Sequence, residues 1–163
     1  MKKLSIGIFS FTCDEGCSMQ ILEVFNNKFK EWENLIEIKH FRLISPRKDI
    51  EKLDVAFVEG AISTKRDLEG LKKIRETSKK VIAIGSCAIN GFPSNQRNFF
   101  DKKVKQKIKP FLKKFNHLEN VEPIKKFISV DGEINGCPIS EDDFIKVLED
   151  CLIEFGVKDA QRF

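Results

Sequence analysis

No stretch of this sequence stays apolar for long. The run from Leu4 to Phe11 follows two lysines, is interrupted by Ser5, Gly7 and Ser10, and leads directly into Cys13. It is too short for a signal-peptide core or for the roughly 20 residues of a membrane-spanning helix. The expectation is a cytoplasmic chain with no direct membrane span. Glycine and proline are scarce, 9 and 5 in 163 residues, and no low-complexity tract, internal repeat or linker interrupts the pattern. That excludes fibrous and disordered classes. No RNP, helix-turn-helix or zinc-finger pattern accompanies the basic residues, so no nucleic-acid partner is expected. The two histidines, His40 in a strand pattern and His117 in a loop pattern, lack neighbours that suggest catalysis.

What is present is the composition of a globular domain, 41% hydrophobic and 33% charged. Residues 1–163 read as one domain, long enough to bury a core without disulfides or metal. The net charge of +4 is unevenly spread: residues 101–126 hold nine lysines against Asp101, Glu119 and Glu122. Two uses fit this segment, a solvated helix face or a docking surface for an acidic partner such as a ferredoxin-like carrier.

Short apolar runs alternate with helical patterns, the signature of βαβ units and a parallel sheet. Strands are expected at 4–11, at 36–44 closed by Pro46, at 55–58 ended by Glu59-Gly60, and at 81–84. Helices are expected after an N-cap at Ser18, over 64–78, from about Asp101 to a break or kink at Pro110, and from Ser140 to about Phe155. Ser140 with Asp143 approximates a capping box. Residues 86–98 read as loop, and 123–134 as a strand with a turn at Asp131-Gly132. The fold class is α/β: a flavodoxin-like, doubly wound, mostly parallel sheet with helices on both faces.

Five cysteines punctuate this map, an odd number in a chain expected to keep its thiols reduced. Cys13 and Cys17 follow the first strand, Cys87 follows the 81–84 strand, and Cys137 lies in a Gly136-Cys-Pro138 turn before the last helix. Each sits in a loop leading to a helix, where open α/β sheets bind ligands. Four thiolates suit an iron–sulfur cluster or a tetrahedral zinc ion. Intervals of 3, 69 and 49 residues differ from the paired knuckles of zinc sites and favour the cluster. Glycine beside Cys17, Cys87 and Cys137 permits close backbone approach. Cys151, on an apolar helix face with Ile145, Leu148 and Leu152, reads as core.

The segments Thr12-Cys-Asp-Glu-Gly-Cys17-Ser, Asp54-Val-Ala-Phe-Val-Glu-Gly-Ala-Ile62, Ala83-Ile-Gly-Ser-Cys-Ala88 and Asn135-Gly-Cys-Pro138 together resemble the small, electron-transferring subunit of [NiFe]-hydrogenases. The resemblance implies one proximal [4Fe–4S] cluster on Cys13, Cys17, Cys87 and Cys137. It implies a large partner subunit carrying the NiFe centre, and a flavin- or ferredoxin-type redox subunit beyond it. Glu59 would lie near the cluster at the large-subunit interface; read alone, it is an exposed acid ending a strand. Phe92, with Phe99 and Phe100, would form an apolar patch for the same partner or else be core. The sequence departs from the family in having CxxxC for CxxC, Ile139 after Pro138, and Asn90-Gly91 in place of a glycine pair. It ends at Phe163 without cysteines for further clusters, which reads as a one-cluster subunit. Related readings are the 20-kDa-type subunit of complex I, whose adjacent cysteines are missing here, and a flavodoxin-like flavin module, whose phosphate loop would not contain Asp14 and Glu15.

Overall fold

A computed structural model describes residues 2–45 and 49–159, so the strand-closing role expected of Pro46 falls outside the described residues. In chain order the elements are β1 (Leu4–Ser10), α1 (Gly16–Trp32), β2 (Ile36–Phe41), β3 (Leu53–Glu59), β4 (Ile62–Thr64), α2 (Lys65–Thr77), β5 (Ser78–Ile84) and α3 (Gly85–Asn90). Then come α4 (Lys102–Lys114), β6 (His117–Glu122), β7 (Gly132–Ile134) and α5 (Glu141–Glu154), with single 3-10 turns at Gln96–Phe99 and Ile124–Lys126.

Five strands form one parallel sheet in the order β2-β1-β3-β5-β7. Counting only those strands, this is the doubly wound order in which the chain reverses direction between β1 and β3. β3 is buried along its whole length, as a central strand covered on both faces must be. Alternation splits the strands between two cores. Ile6, Ile8, Val55, Phe57 and Ile82 face α1 and α5, meeting Ile21, Val24, Phe144 and Leu148. Phe9, Ala56, Val58, Val81 and Ala83 face the other way, meeting Leu71 and Ile74 of α2 and Ala88 and Ile89 of α3.

Several sequence expectations need correction. The 86–98 loop contains most of α3 and a 3-10 turn, both too short for a hydrophobic period to register. α3 is closed by Gly91, left-handed at φ 86°, whose N–H bonds Cys87 O. His117 opens a strand rather than a loop: β6 pairs antiparallel with β4 in a separate two-stranded sheet. α4 continues through Pro110 to Lys114. None of its residues is buried, so the carbonyl that proline leaves without a donor stays open to water. Ser140 caps α5 through Asp143 N, while a reciprocal capping box forms at Thr64 and Asp67 instead.

Candidate metal centre

The sheet register puts Ser10 beside Glu59, Glu59 beside Ile84 and Ile84 beside Ile134, one row across the carboxyl edge. The chain leaving three of these strand ends carries the four cysteines. After β1 come Cys13 and then Cys17 in the first turn of α1, after β5 comes Cys87 within α3, and after β7 comes Cys137. Cys17 and Cys87 therefore sit on helices rather than in loops, because α1 starts closer to its strand end than its periodicity indicates and α3 is too short to show a period. Cys17 and Cys87 are buried, Cys13 is half-buried and Cys137 is exposed.

Specific hydrogen bonds draw these segments together. Ser86 N donates to Gly136 O at 2.8 Å, and Ser86 Oγ reaches Gly136 O at 3.1 Å and Asn135 Oδ1 at 3.2 Å. Ser94 Oγ lies 3.3 Å from Cys87 Sγ and 3.0 Å from Thr12 O, joining the Cys87 and Cys13 segments. Gly136 and Ile139 close an antiparallel bridge around Cys137, and Ile139 takes its buried place in the core behind it. Glu15, left-handed at φ 63°, turns the chain inside the CxxxC interval. A cleft of about 70 Å³ opens between Cys17, Cys87 and Cys137, with Gly85, Glu59 and Asp14 on its walls. Cys13 lies within electrostatic reach of Cys87, as Cys137 does of Cys17. Among the described residues, no three His, Cys, Asp or Glu side chains are grouped tightly enough to hold a single metal ion.

Glycine at 85 is a steric requirement. Its φ is +79°, and a Cβ there would stand 2.6 Å from Cys17 Sγ, inside the space the thiol occupies.

Glu59 is not the exposed acid its position suggests. It is 2% exposed, and its carboxylate accepts from Cys17 N at 3.1 Å, Ser18 N at 2.9 Å and Ser18 Oγ at 2.6 Å. α1 begins at Gly16, not after Ser18, and has no side-chain cap of its own. The β3 carboxylate supplies that cap, satisfying amides that a helix start leaves open and placing negative charge at the positive end of the helix. The same charge acts on the thiols. Burial first, and Glu59 second, push Cys17 up to about 12 and Cys13 well above the ordinary thiol range. Thiols so desolvated beside a carboxylate keep their protons until a cation displaces them. Four sulfur donors from three segments, with glycine backbone pressed against one of them, fit a soft iron–sulfur group.

Phe92 is 60% exposed, and Phe99 and Phe100 are exposed as well, so they are surface rather than core. Cys151 is 1% exposed inside the α1–α5 core, and burial raises its thiol to about 11. Ser94 carries no sequence signal for its contacts with the cysteine segments, whereas Asn135 stands in the Asn135-Gly-Cys-Pro138 motif. The hydroxyl of Ser86 could have been suspected from the Gly85-Ser86-Cys87 motif alone.

Comparison with known proteins agrees with this architecture. The chain is 33% identical over 151 residues to sulfhydrogenase 2 subunit delta of Pyrococcus furiosus, covering 90% of this chain and 61% of that protein. It is 31% identical to a subunit of the vhu F420-non-reducing hydrogenase of Methanocaldococcus jannaschii, covering 83% of this chain and 51% of the relative. Thus it spans between half and two thirds of the length of these two relatives. The NAD-reducing hydrogenase HoxS subunit delta of Cupriavidus necator is 25% identical, with 83% of this chain and 72% of that protein covered. In fold the chain is similar to a subunit in the crystal structure of an NAD+-reducing [NiFe]-hydrogenase in the H2-reduced state. That similarity has a TM-score of 0.79 at 23% identity over 99% of this chain and 97% of that one. The family model described as NADH ubiquinone oxidoreductase, 20 Kd subunit, matches residues 13–151. That match takes in all five cysteines, so the chain belongs to the NADH ubiquinone oxidoreductase 20 kDa subunit family, with hydrogenase subunits among its relatives.

Proposed function

We propose that this chain, as one domain over residues 1–163, is the small electron-relaying subunit of a cytoplasmic [NiFe]-hydrogenase. Cys13, Cys17, Cys87 and Cys137 would ligate one [4Fe–4S] cluster. The observation that carries the reading is that Cys17, Cys87 and Cys137 line one cleft at the carboxyl edge beside the β1–β3 reversal, with Cys13 on the loop that follows β1 and Gly85 leaving room for the Cys17 thiol. The hydrogenase relatives supply the reaction class. The NiFe centre belongs on a large partner subunit, and a flavin- or ferredoxin-type subunit takes or supplies electrons beyond it.

The bound cluster supplies one-electron chemistry without proton transfer at a side chain. The chain's own work is positional. Glu59 holds the first turn of α1 and with it Cys17. Ser86 ties the Cys87 segment to the Cys137 turn, and Ser94 ties Cys87 to Thr12. Such fixed, partly buried donors and dipoles set a cluster's potential.

Anaerobic purification of the native complex tests the reading. The expected result is a brown protein bleached by dithionite, with roughly four irons and four sulfides per copy of this chain, and a co-isolated large subunit containing nickel. A colourless chain with one equivalent of zinc would overturn it.

A further inference from the structure

A groove of about 460 Å³ lies between α4 and β6, on a different part of the surface from the cysteine cleft. Lys105, Lys109 and Lys113 line it from α4. At successive i+4 positions they form a row roughly 12 Å long. Lys65, Arg97 and His117 stand among the other lining residues, Ile108 and Leu112 contribute apolar surface, and Glu119 is the sole carboxylate lining it.

Glu119 apart, this charge has no carboxylate beside it among the groove's lining residues. Among the described residues, none of Lys65, Arg97, Lys105, Lys109 or Lys113 forms an ion pair. Arg97 is held in place by neutral groups: it donates to Leu118 O at 2.7 Å and Ser63 O at 3.3 Å, and lies 3.4 Å from His117 Nδ1. Its Nε is shut off from solvent with no hydrogen-bond partner. Arg97 is thus fixed by neutral acceptors at the edge of the lysine row, and its positive charge is not offset by any carboxylate among those partners.

α4 also keeps part of its apolar surface open to solvent. None of its residues is buried, and Phe111 is 63% exposed, with Phe115 just beyond its end at 61%. We propose that the α4–β6 groove docks an acidic segment of a partner protein, with carboxylates along Lys105, Lys109, Lys113 and Arg97, apolar side chains on Ile108 and Leu112, and a further apolar contact on Phe111, exposed on α4 outside the groove lining. A phosphate-bearing ligand suits the surface less well. The α4 N-terminus is already capped by Asp101, which accepts from Val104 N at 2.8 Å, and the exposed phenylalanines call for apolar contacts. A chain of hydrogen bonds links the groove to the loop carrying Cys13: Arg97 bonds Ser63 O, and Ser63 Oγ meets Thr12 Oγ1 at 2.5 Å, one residue before Cys13. The inference does not depend on what the cysteines hold.

Two measurements test it. In the purified native complex, zero-length carbodiimide cross-linking with peptide mass spectrometry should join Lys105, Lys109 or Lys113 to an Asp or Glu of another chain. On the full chain, a synthetic 12-residue peptide of alternating acidic and leucine or phenylalanine residues should bind with strong salt dependence. The triple variant K105E/K109E/K113E should weaken this peptide at least about tenfold, and the surface variant F111S should weaken the peptide but not inorganic triphosphate. Circular dichroism should stay unchanged in both variants. Cross-links confined to this chain would overturn the proposal. So would triphosphate or a 12-mer oligonucleotide binding as tightly as the peptide with no response to F111S.

Discussion

Glu59 and Gly85 illustrate how single positions at the cysteine edge are constrained. Glu59→Gln keeps the shape but turns an N–H2 toward one of the two amides that the carboxylate accepts. Loss of charge-assisted bonds at a buried cap should cost about 2 kcal/mol of stability, read from chemical denaturation; an unchanged midpoint would remove Glu59 from its capping role. Gly85→Ala places a methyl group 2.6 Å from Cys17 Sγ at a left-handed φ. This variant should fold with little bound iron and weak visible absorption, and full iron loading would contradict the proposed ligand geometry. Serine at Cys13, Cys17, Cys87 or Cys137 should likewise lower iron content. Cys151→Ala, deep in the α1–α5 core, should keep its iron and lose about 1 kcal/mol of stability.

Among elements, the sheet is tied across β1, β3 and β5 at its opposite, amino-terminal end by Asp54. Its carboxylate accepts from Ser5 N, Ser5 Oγ and Lys79 Nζ at 3.0, 2.9 and 2.7 Å. Burial alone would raise this acid, but the Lys79 and Ser5 bonds outweigh burial and hold it below the usual carboxylate range. A depressed carboxyl contributes stability that is present above its unfolded-state value and is lost as pH falls through its folded-state value. Asp54→Asn should therefore flatten the acid limb of the stability profile and cost roughly 1 kcal/mol at neutral pH, measured by thermal melts across pH. α4 behaves in the opposite sense. Pro110 sits inside an exposed helix, so Pro110→Ala should stabilise that helix, seen as slower amide exchange over 106–114. Its position also explains a misread boundary: proline breaks helices most reliably where the freed carbonyl would be buried, and here it is not.

At the scale of the whole molecule, apolar and basic surfaces are separately placed. Phe92, Phe99 and Phe100 are exposed near the Cys87 segment, and a charged residue at Phe92 should reduce recovery of a large subunit on purification without changing the melting temperature. The lysine groove along α4 answers to charge rather than to apolar contact alone. No described helix is long and apolar enough to cross a membrane. Two helix layers around a parallel sheet leave the carboxyl edge as the place where distant cysteines meet, a consequence of strand order rather than of any local motif.

The sequence by itself determined the runs that form β1, β2, β3 and β5, the class of fold and the family, and it set Cys151, on an apolar helix face, apart from the four motif cysteines. Those follow from period, composition and the residues beside each thiol, all of which are local. Tertiary structure decided the rest. Glu59 became a buried cap because β3 ends against the start of α1, 41 and 42 positions away in the chain. β6 found a partner in β4, which no nearby pattern announces. Cys17 and Cys87 proved to lie on helices, and the lysines of α4 acquired Arg97 as a neighbour across a groove. In each case the deciding contact joins segments far apart in sequence, where periodicity carries no information about which surfaces will meet.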